Sequence, residues 1–162
     1  MKFALDIIVP STLWRGLPRA RGMARATIAA CVAETGITTR EPLEVSLCLA
    51  DDARVRALNA RWRGLDKPTN VLSFPASPPE RLGESPMLGD IALAYETLAR
   101  ESEQSGTPLA DHYRHLVVHG FLHLIGHDHR SDGEAARMEA LEKKILARLG
   151  VSNPYADGVL SE

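Results

Sequence analysis

His119-Gly120-Phe121-Leu122-His123-Leu124-Ile125-Gly126-His127-Asp128-His129 is the stretch on which the reading of this chain turns. It closes a segment, 108–125, whose pattern predicts one helix. His119 and His123 stand four apart, so their imidazoles share one face, one turn apart. Gly126 can adopt the left-handed conformation that stops a helix. The chain can then turn back and bring His129 toward the same point. Three imidazoles plus one open position form a common catalytic zinc arrangement. His112 and His115 lie on the same helical stripe, but no turn returns a further ligand to them. They read as a polar helix face. His127 neighbours the site, yet a fourth histidine ligand would close the open position, so it stays outside the ligand set.

Outward from this stretch, the chain alternates short apolar runs with helical patterns. Residues 3–9 read as a strand ended by Pro10, and 17–34 as a helix stopped by Gly36. Val45, Leu47 and Leu49 alternate with polar neighbours and predict a strand over 44–49. Asp51 or Asp52 offers an N-cap for a short helix through Val55, Leu58 and Trp62, ending at Gly64. Residues 69–74 read as a strand closed by Pro75, the proline-rich segment 76–86 as a loop, and 89–94 as a strand. Helices are expected over 95–103, with Gly106 as the stop, and from Ser131 or Asp132 to Leu149. The tail after Ser152 reads as irregular. The sum is an α+β fold: a small mixed sheet of about four strands packed with five to six helices, including a zincin-like metal-site helix.

The 162 residues fit a single domain spanning 1–162. Hydrophobic residues make up 44% and charged residues 25%, which supports a packed core and excludes wholesale disorder. The formal charge of −2 offers no global attraction to nucleic acid, so an RNA partner needs a local basic patch. Basic residues do cluster: Arg15, Arg19, Arg21 and Arg25, then Arg54, Arg56, Arg61, Arg63 and Lys67. The Arg54/Arg61 and Arg56/Arg63 pairs, seven apart, each share a helix face. Acidic Glu134, Glu139 and Glu142 fall in the last helix instead. Cys31 and Cys48 sit in apolar runs and read as buried free thiols. The first ten residues lack the long apolar core of a signal peptide, and no run can span a bilayer; a cytoplasmic protein is expected.

The histidine spacing equals that of the metzincin proteases, H-E-x-x-H-x-x-G-x-x-H. Gly120 occupies the position of the protease's general base and cannot accept a proton. The cradle is therefore protease-like while the peptide-cleaving chemistry lacks its base.

The same eleven residues resemble the H-G-x-L-H-L-x-G-x-D-H signature of the YbeY family of ribosomal RNA endoribonucleases. Asp66-Lys67-Pro68-Thr69-Asn70-Val71-Leu72-Ser73-Phe74-Pro75 is similar to that family's second block, and Leu88-Gly89-Asp90-Ile91 to its third. Met138-Glu139 and Leu141-Glu142 resemble its last helix. His127 departs from the pattern, because many members carry tyrosine there. The resemblance implies a zinc-dependent, single-strand-specific endoribonuclease acting in 16S rRNA 3′-end maturation and ribosome quality control. It implies His119, His123 and His129 as ligands of one Zn2+ and as catalytic residues, with Arg63 as the functional arginine. The implied partners are ribosomal RNA and the small ribosomal subunit or its proteins, with no membrane and no nucleotide cofactor. Other divalent ions suit three imidazoles as well.

An ion held by neutral imidazoles keeps its full charge and can lower the pKa of water from about 15.7 toward 7. Arg63 can hold a phosphate in a bidentate contact. The proton carrier stays open: Asp128 as partner of a ligand, Asp128 as a mere turn cap, or the RNA's own 2′-hydroxyl as nucleophile. Asp90 reads equally as a site or a turn residue; for Thr69, Asn70 and Ser73 the structural role leads. Two other readings compete: a hydrolase such as a protease using the same cradle, and a non-catalytic ribosome assembly factor with a structural metal.

Overall fold

Alternation of inward and outward side chains builds the sheet. The structure, a computed structural model, describes residues 3–37 and 42–155. Strand β1 (Phe3–Ile8) alternates strictly between half-buried and exposed residues. It pairs in parallel with β2 (Leu43–Ala50), which pairs in parallel with β4 (Met87–Ala94). The short β3 (Val71–Pro75) runs antiparallel along β4, so the order is β1-β2-β4-β3 and the sheet is mixed. Glu44 pairs with Met87 but Val45 with Gly89, so Leu88 is an extra residue in β4. This bulge turns Leu88 inward beside Ile91 and Leu93, although its number has the other parity.

Helices cover the two faces unequally. Val45, Leu47, Leu49, Ile91 and Leu93 face α1 (Ala20–Thr35), α4 (Leu109–Leu124) and α5 (Asp132–Arg148), and with Ile28, Val117, Phe121 and Ile145 they make the main core. The opposite face is thin. Ala50, Leu72, Ala92 and Ala94 pack there against Val55 of α2 (Asp52–Arg63). Helix α3 (Tyr95–Ser105) follows β4 directly and ends at Gly106. Among the described residues, five α-helices and four strands give the α+β arrangement expected from the sequence.

Local chemistry sets most boundaries. Asp51 caps α2 through a 2.8 Å bond from the Arg54 amide, and Ser131 caps α5 by accepting from Glu134 at 3.1 Å. The helix expected from residue 17 starts at Ala20 instead. Trp14 is buried and donates Nε1–H to the Ala50 carbonyl at 2.8 Å, and residues Thr12–Gly16 wind into their own 3-10 turn to place it there. A second 3-10 turn, Pro79–Arg81, lies inside the proline-rich loop. Trp62, which the sequence places on the apolar spacing of Val55 and Leu58 in α2, is 62% exposed, because that part of the sheet face is left uncovered. The tail residues after 155 lie outside the described residues. Among the described residues no helix is long and apolar enough to cross a membrane.

Candidate metal centre

Helix α4 is central because it is buried on nearly every side: all residues from Leu116 to Leu122 are buried. It can sit so close to the sheet because residue 120 has no side chain. A Cβ at Gly120 would stand 2.9 Å from Ile91 Cγ2 and 3.2 Å from both Ser73 Oγ and Val71 Cγ2. Ser73 Oγ donates to the Gly120 carbonyl at 2.8 Å, fastening β3 to the helix. Glycine at the protease's glutamate position thus has a packing reason as well as a chemical consequence.

The helix ends in a Schellman motif. The Gly126 amide donates to the His123 carbonyl at 3.1 Å, and the His127 amide to the Leu122 carbonyl at 3.0 Å. Gly126 sits at φ +98°, outside the range comfortable for side-chain-bearing residues. The reversal returns the chain, and His129 arrives beside the helix. Ligand atoms of His119, His123 and His129 all lie within 4.8 Å of one another. Nε2 of His119 and Nε2 of His123 are 2.9 Å apart, and the ring centres of His119 and His129 are 5.8 Å apart. His119 is buried, His123 half-buried and His129 exposed, so the cluster opens on one side.

Glu142 of α5 stands behind His119. Its Oε2 accepts from His119 Nδ1 at 3.1 Å and from His115 Nε2 at 2.7 Å, while Oε1 accepts from the Tyr155 hydroxyl at 2.8 Å. Burial pushes the Glu142 carboxyl up, but the hydrogen bonds from His115 and His119 help to outweigh it and hold it at about 2. An ionised carboxylate only accepts, so His119 Nδ1 carries the proton and Nε2 presents its lone pair toward His123. This donor set fits a zinc-like divalent ion: three imidazoles, one with its tautomer fixed from behind. His115, His119 and Glu142 form a second, wholly buried group whose atoms are close enough for an ion. Their 2.7 and 3.1 Å contacts are those of hydrogen bonds.

The polar-face reading of His112 and His115 is overturned. Both are buried, at 0% and 4% exposure. His112 Nε2 meets Glu101 Oε1 at 2.8 Å, and Glu101 also accepts from Asn70 Nδ2 at 3.0 Å. Carboxylates from α3 and α5 reach in and engage Nε2 of each imidazole, while Nδ1 of both stays buried without a hydrogen-bond partner among the described residues. Glu142, Glu101 and Tyr155 were not singled out as site residues. For Glu142 a signal existed: it falls on the buried stripe of Met138, Ile145 and Leu146, where an unpaired charge is untenable.

A cleft of about 1130 Å³ is lined by His119, His123 and His129 together with Arg63, His127, Asp128, Thr69, Asn70 and Ser73. Arg63 is the exposed last residue of α2, before left-handed Gly64. The structure therefore brings all four predicted site residues to one cavity. Asp128 accepts from the His129 amide at 2.8 Å and pairs with Arg130 at 2.8 Å, which is the turn-capping arrangement. Burial pushes the Asp128 carboxyl up; the His129 amide and the charges of Arg130, His123 and His129 pull it lower still. Burial, reinforced by Arg137, lowers the pKa of the His127 imidazole. Asp90 lies elsewhere, exposed on the thin face of the sheet. Arg56 is engaged by Asp66 at 2.8 Å. Cys31 and Cys48 are free thiols; Cys31 is buried, Cys48 only half so.

The profile of a family described as Endoribonuclease YbeY matches residues 18–150. A protein called Endoribonuclease YbeY from Rhodopseudomonas palustris is 49% identical over 159 residues, covering 95% of this chain and 93% of the relative. One of the same name from Methylocella silvestris is 44% identical, covering 99% and 90%. Among solved structures, a Thermotoga maritima protein determined in solution superposes with a TM-score of 0.57 at 20% identity, over 95% of this chain and 98% of that one. That last likeness speaks for the fold.

Proposed function

Since the chain belongs to the YbeY family of endoribonucleases, we propose that it is a metal-dependent nuclease that cuts single-stranded RNA. In this reading residues 1–162 are one such domain, working in the cytoplasm with the small ribosomal subunit or its proteins. Its tasks are 16S rRNA 3′-end maturation and ribosome quality control. His119, His123 and His129 hold one zinc ion, and Arg63 serves the phosphate. The supporting observation is the convergence of the three imidazoles in the cleft that Arg63 also lines.

A bound divalent ion supplies Lewis acidity toward a phosphoryl oxygen and toward water. The protein's part is placement. Glu142 fixes the His119 tautomer, and the Gly126 reversal delivers His129. Arg63, at the C-terminal end of α2, has a cation-favouring helix terminus at its back and a guanidinium fork that matches a phosphate. Asp128 is occupied by the His129 amide and by Arg130, which favours a turn role over proton transfer.

The test is metal content and RNA cleavage on the same samples of wild type, His123→Ala and Arg63→Ala. Wild type should hold one ion per chain and cut RNA; His123→Ala should lose both, and Arg63→Ala only the cutting. Cleavage that persists in Arg63→Ala or in metal-free protein would sink this mechanism and favour a binding factor.

A further inference from the structure

Trp62 is the most exposed large hydrophobic residue described, at 62%. It lines the histidine cleft, and it also lines a second groove of about 530 Å³ over the thin sheet face, bounded by Phe74, Arg54, Asp6 and Asp90. The indole therefore stands on the ridge between the two cavities. It is flanked in sequence by Arg61 and Arg63. The Arg61 guanidinium carbon lies 5.1 Å from the Trp62 ring centre, a cation–π contact that steadies the ring without covering it. Arg56 is taken up by Asp66, whereas Arg61 and Arg63 have no salt bridge among the described residues.

An exposed indole between two arginines that make no salt bridge among the described residues, at the edge of a cleft with a metal-type ligand set, matches what unpaired nucleotides need. Every base offers a π-face, and each phosphate seeks a cation. Bases inside a duplex are stacked on one another and cannot use such a platform. The charges also bias the strand: Asp6 and Asp90 outnumber Arg54 in the second groove, so phosphates favour the Arg63 side. We infer that Trp62 is a stacking platform for one nucleobase of a single-stranded RNA, next to the nucleotide whose phosphate meets Arg63 and the histidine cluster. This rests on the ribonuclease reading and adds to it a base-binding subsite without sequence preference.

The chain has two tryptophans, and the other, Trp14, is buried at 3% exposure with its N–H bonded to Ala50. Both tryptophans emit, but only Trp62 can touch a ligand, so quenching on binding reports on Trp62. The experiment titrates full-length protein with a 2′-O-methyl oligouridylate, which cannot be cut by attack of its own 2′-hydroxyl. Emission and the anisotropy of a labelled copy are read together for wild type, Trp62→Ala and Trp62→Tyr. Wild type should bind with quenching. Trp62→Ala should bind about tenfold more weakly with little quenching, in line with the stacking worth of one base. Trp62→Tyr should recover most of the affinity. If Trp62→Ala binds like wild type, the platform is wrong while the nuclease reading survives. If wild type does not bind the single strand at all, both fall.

Discussion

The two halves of α4 carry the same residue on one helical stripe and put it to different use. His112 and His115 are sealed in, each against a carboxylate: Glu101 for one, Glu142 for the other. His119 and His123, one and two turns on, turn nitrogens toward each other and toward His129 at the edge of a cleft. Residue type and periodicity are shared; what differs is what packs against each turn. Where α3 and α5 deliver a carboxylate, the imidazole becomes part of the polar interior. Where the Gly126 reversal leaves an opening, it becomes a candidate ligand. His119 belongs to both halves, with Nδ1 on Glu142 and Nε2 toward His123.

That double engagement predicts the largest effect. Glu142→Gln keeps the shape but can no longer accept from both His115 and His119 as an ion. Loss of such a partner typically weakens metal binding by about 10- to 100-fold, and competition against a chromophoric chelator would read it. An unchanged affinity would mean that the closed half does not prepare the open half. Next comes His112→Ala, which takes from Glu101 one of its two partners, leaving Asn70, and opens space beneath α3. It should cost about 1–3 kcal/mol in urea unfolding, while metal content stays at one ion per chain. Lost metal in that variant would erase the distinction between the halves.

How far the sequence showed this division depends on the range of each interaction. The open half was legible because its determinants are local: a four-residue spacing, a glycine stop and a return residue within eleven positions. Caps such as Asp51 and Ser131 were legible for the same reason. The closed half was not, since Glu101 and Glu142 are 11 and 27 positions from the histidines they meet. Nothing in a helical stripe says whether water or a carboxylate will face it. Trp62 erred the opposite way: its spacing matches a core position, but α2 covers too little of the sheet to bury it. The bulge at Leu88 likewise needs the partner strand before it is visible.

The third effect concerns the hinge between α4 and its return. Gly126→Ala would force a side-chain residue to φ +98° and bring its Cβ to 2.9 Å from Pro79 Cβ. The left-handed conformation alone costs about 1–2 kcal/mol. The expected outcome is that loss in urea unfolding, with weaker metal binding because His129 is displaced. Full metal affinity in Gly126→Ala would show that the return residue does not depend on this turn.

The smallest effect probes how tightly α4 is drawn onto the sheet, on which both halves rely. Ser73→Ala removes one 2.8 Å bond to the Gly120 carbonyl, which lies within the helix and can still accept from its own ladder. The cost should be about 1 kcal/mol, with metal content untouched. Gly120→Ala should also destabilise, since its Cβ would crowd Ile91, Ser73 and Val71 and outweigh the better helix propensity of alanine. One of those three crowding atoms is the Ser73 oxygen, at 3.2 Å. Removing it makes room, so the double variant should lose less than the sum of the singles, by at least about 0.5 kcal/mol. Strict additivity would mean that the helix yields as a rigid body against Ile91, and that the serine fastens the strand without setting the distance.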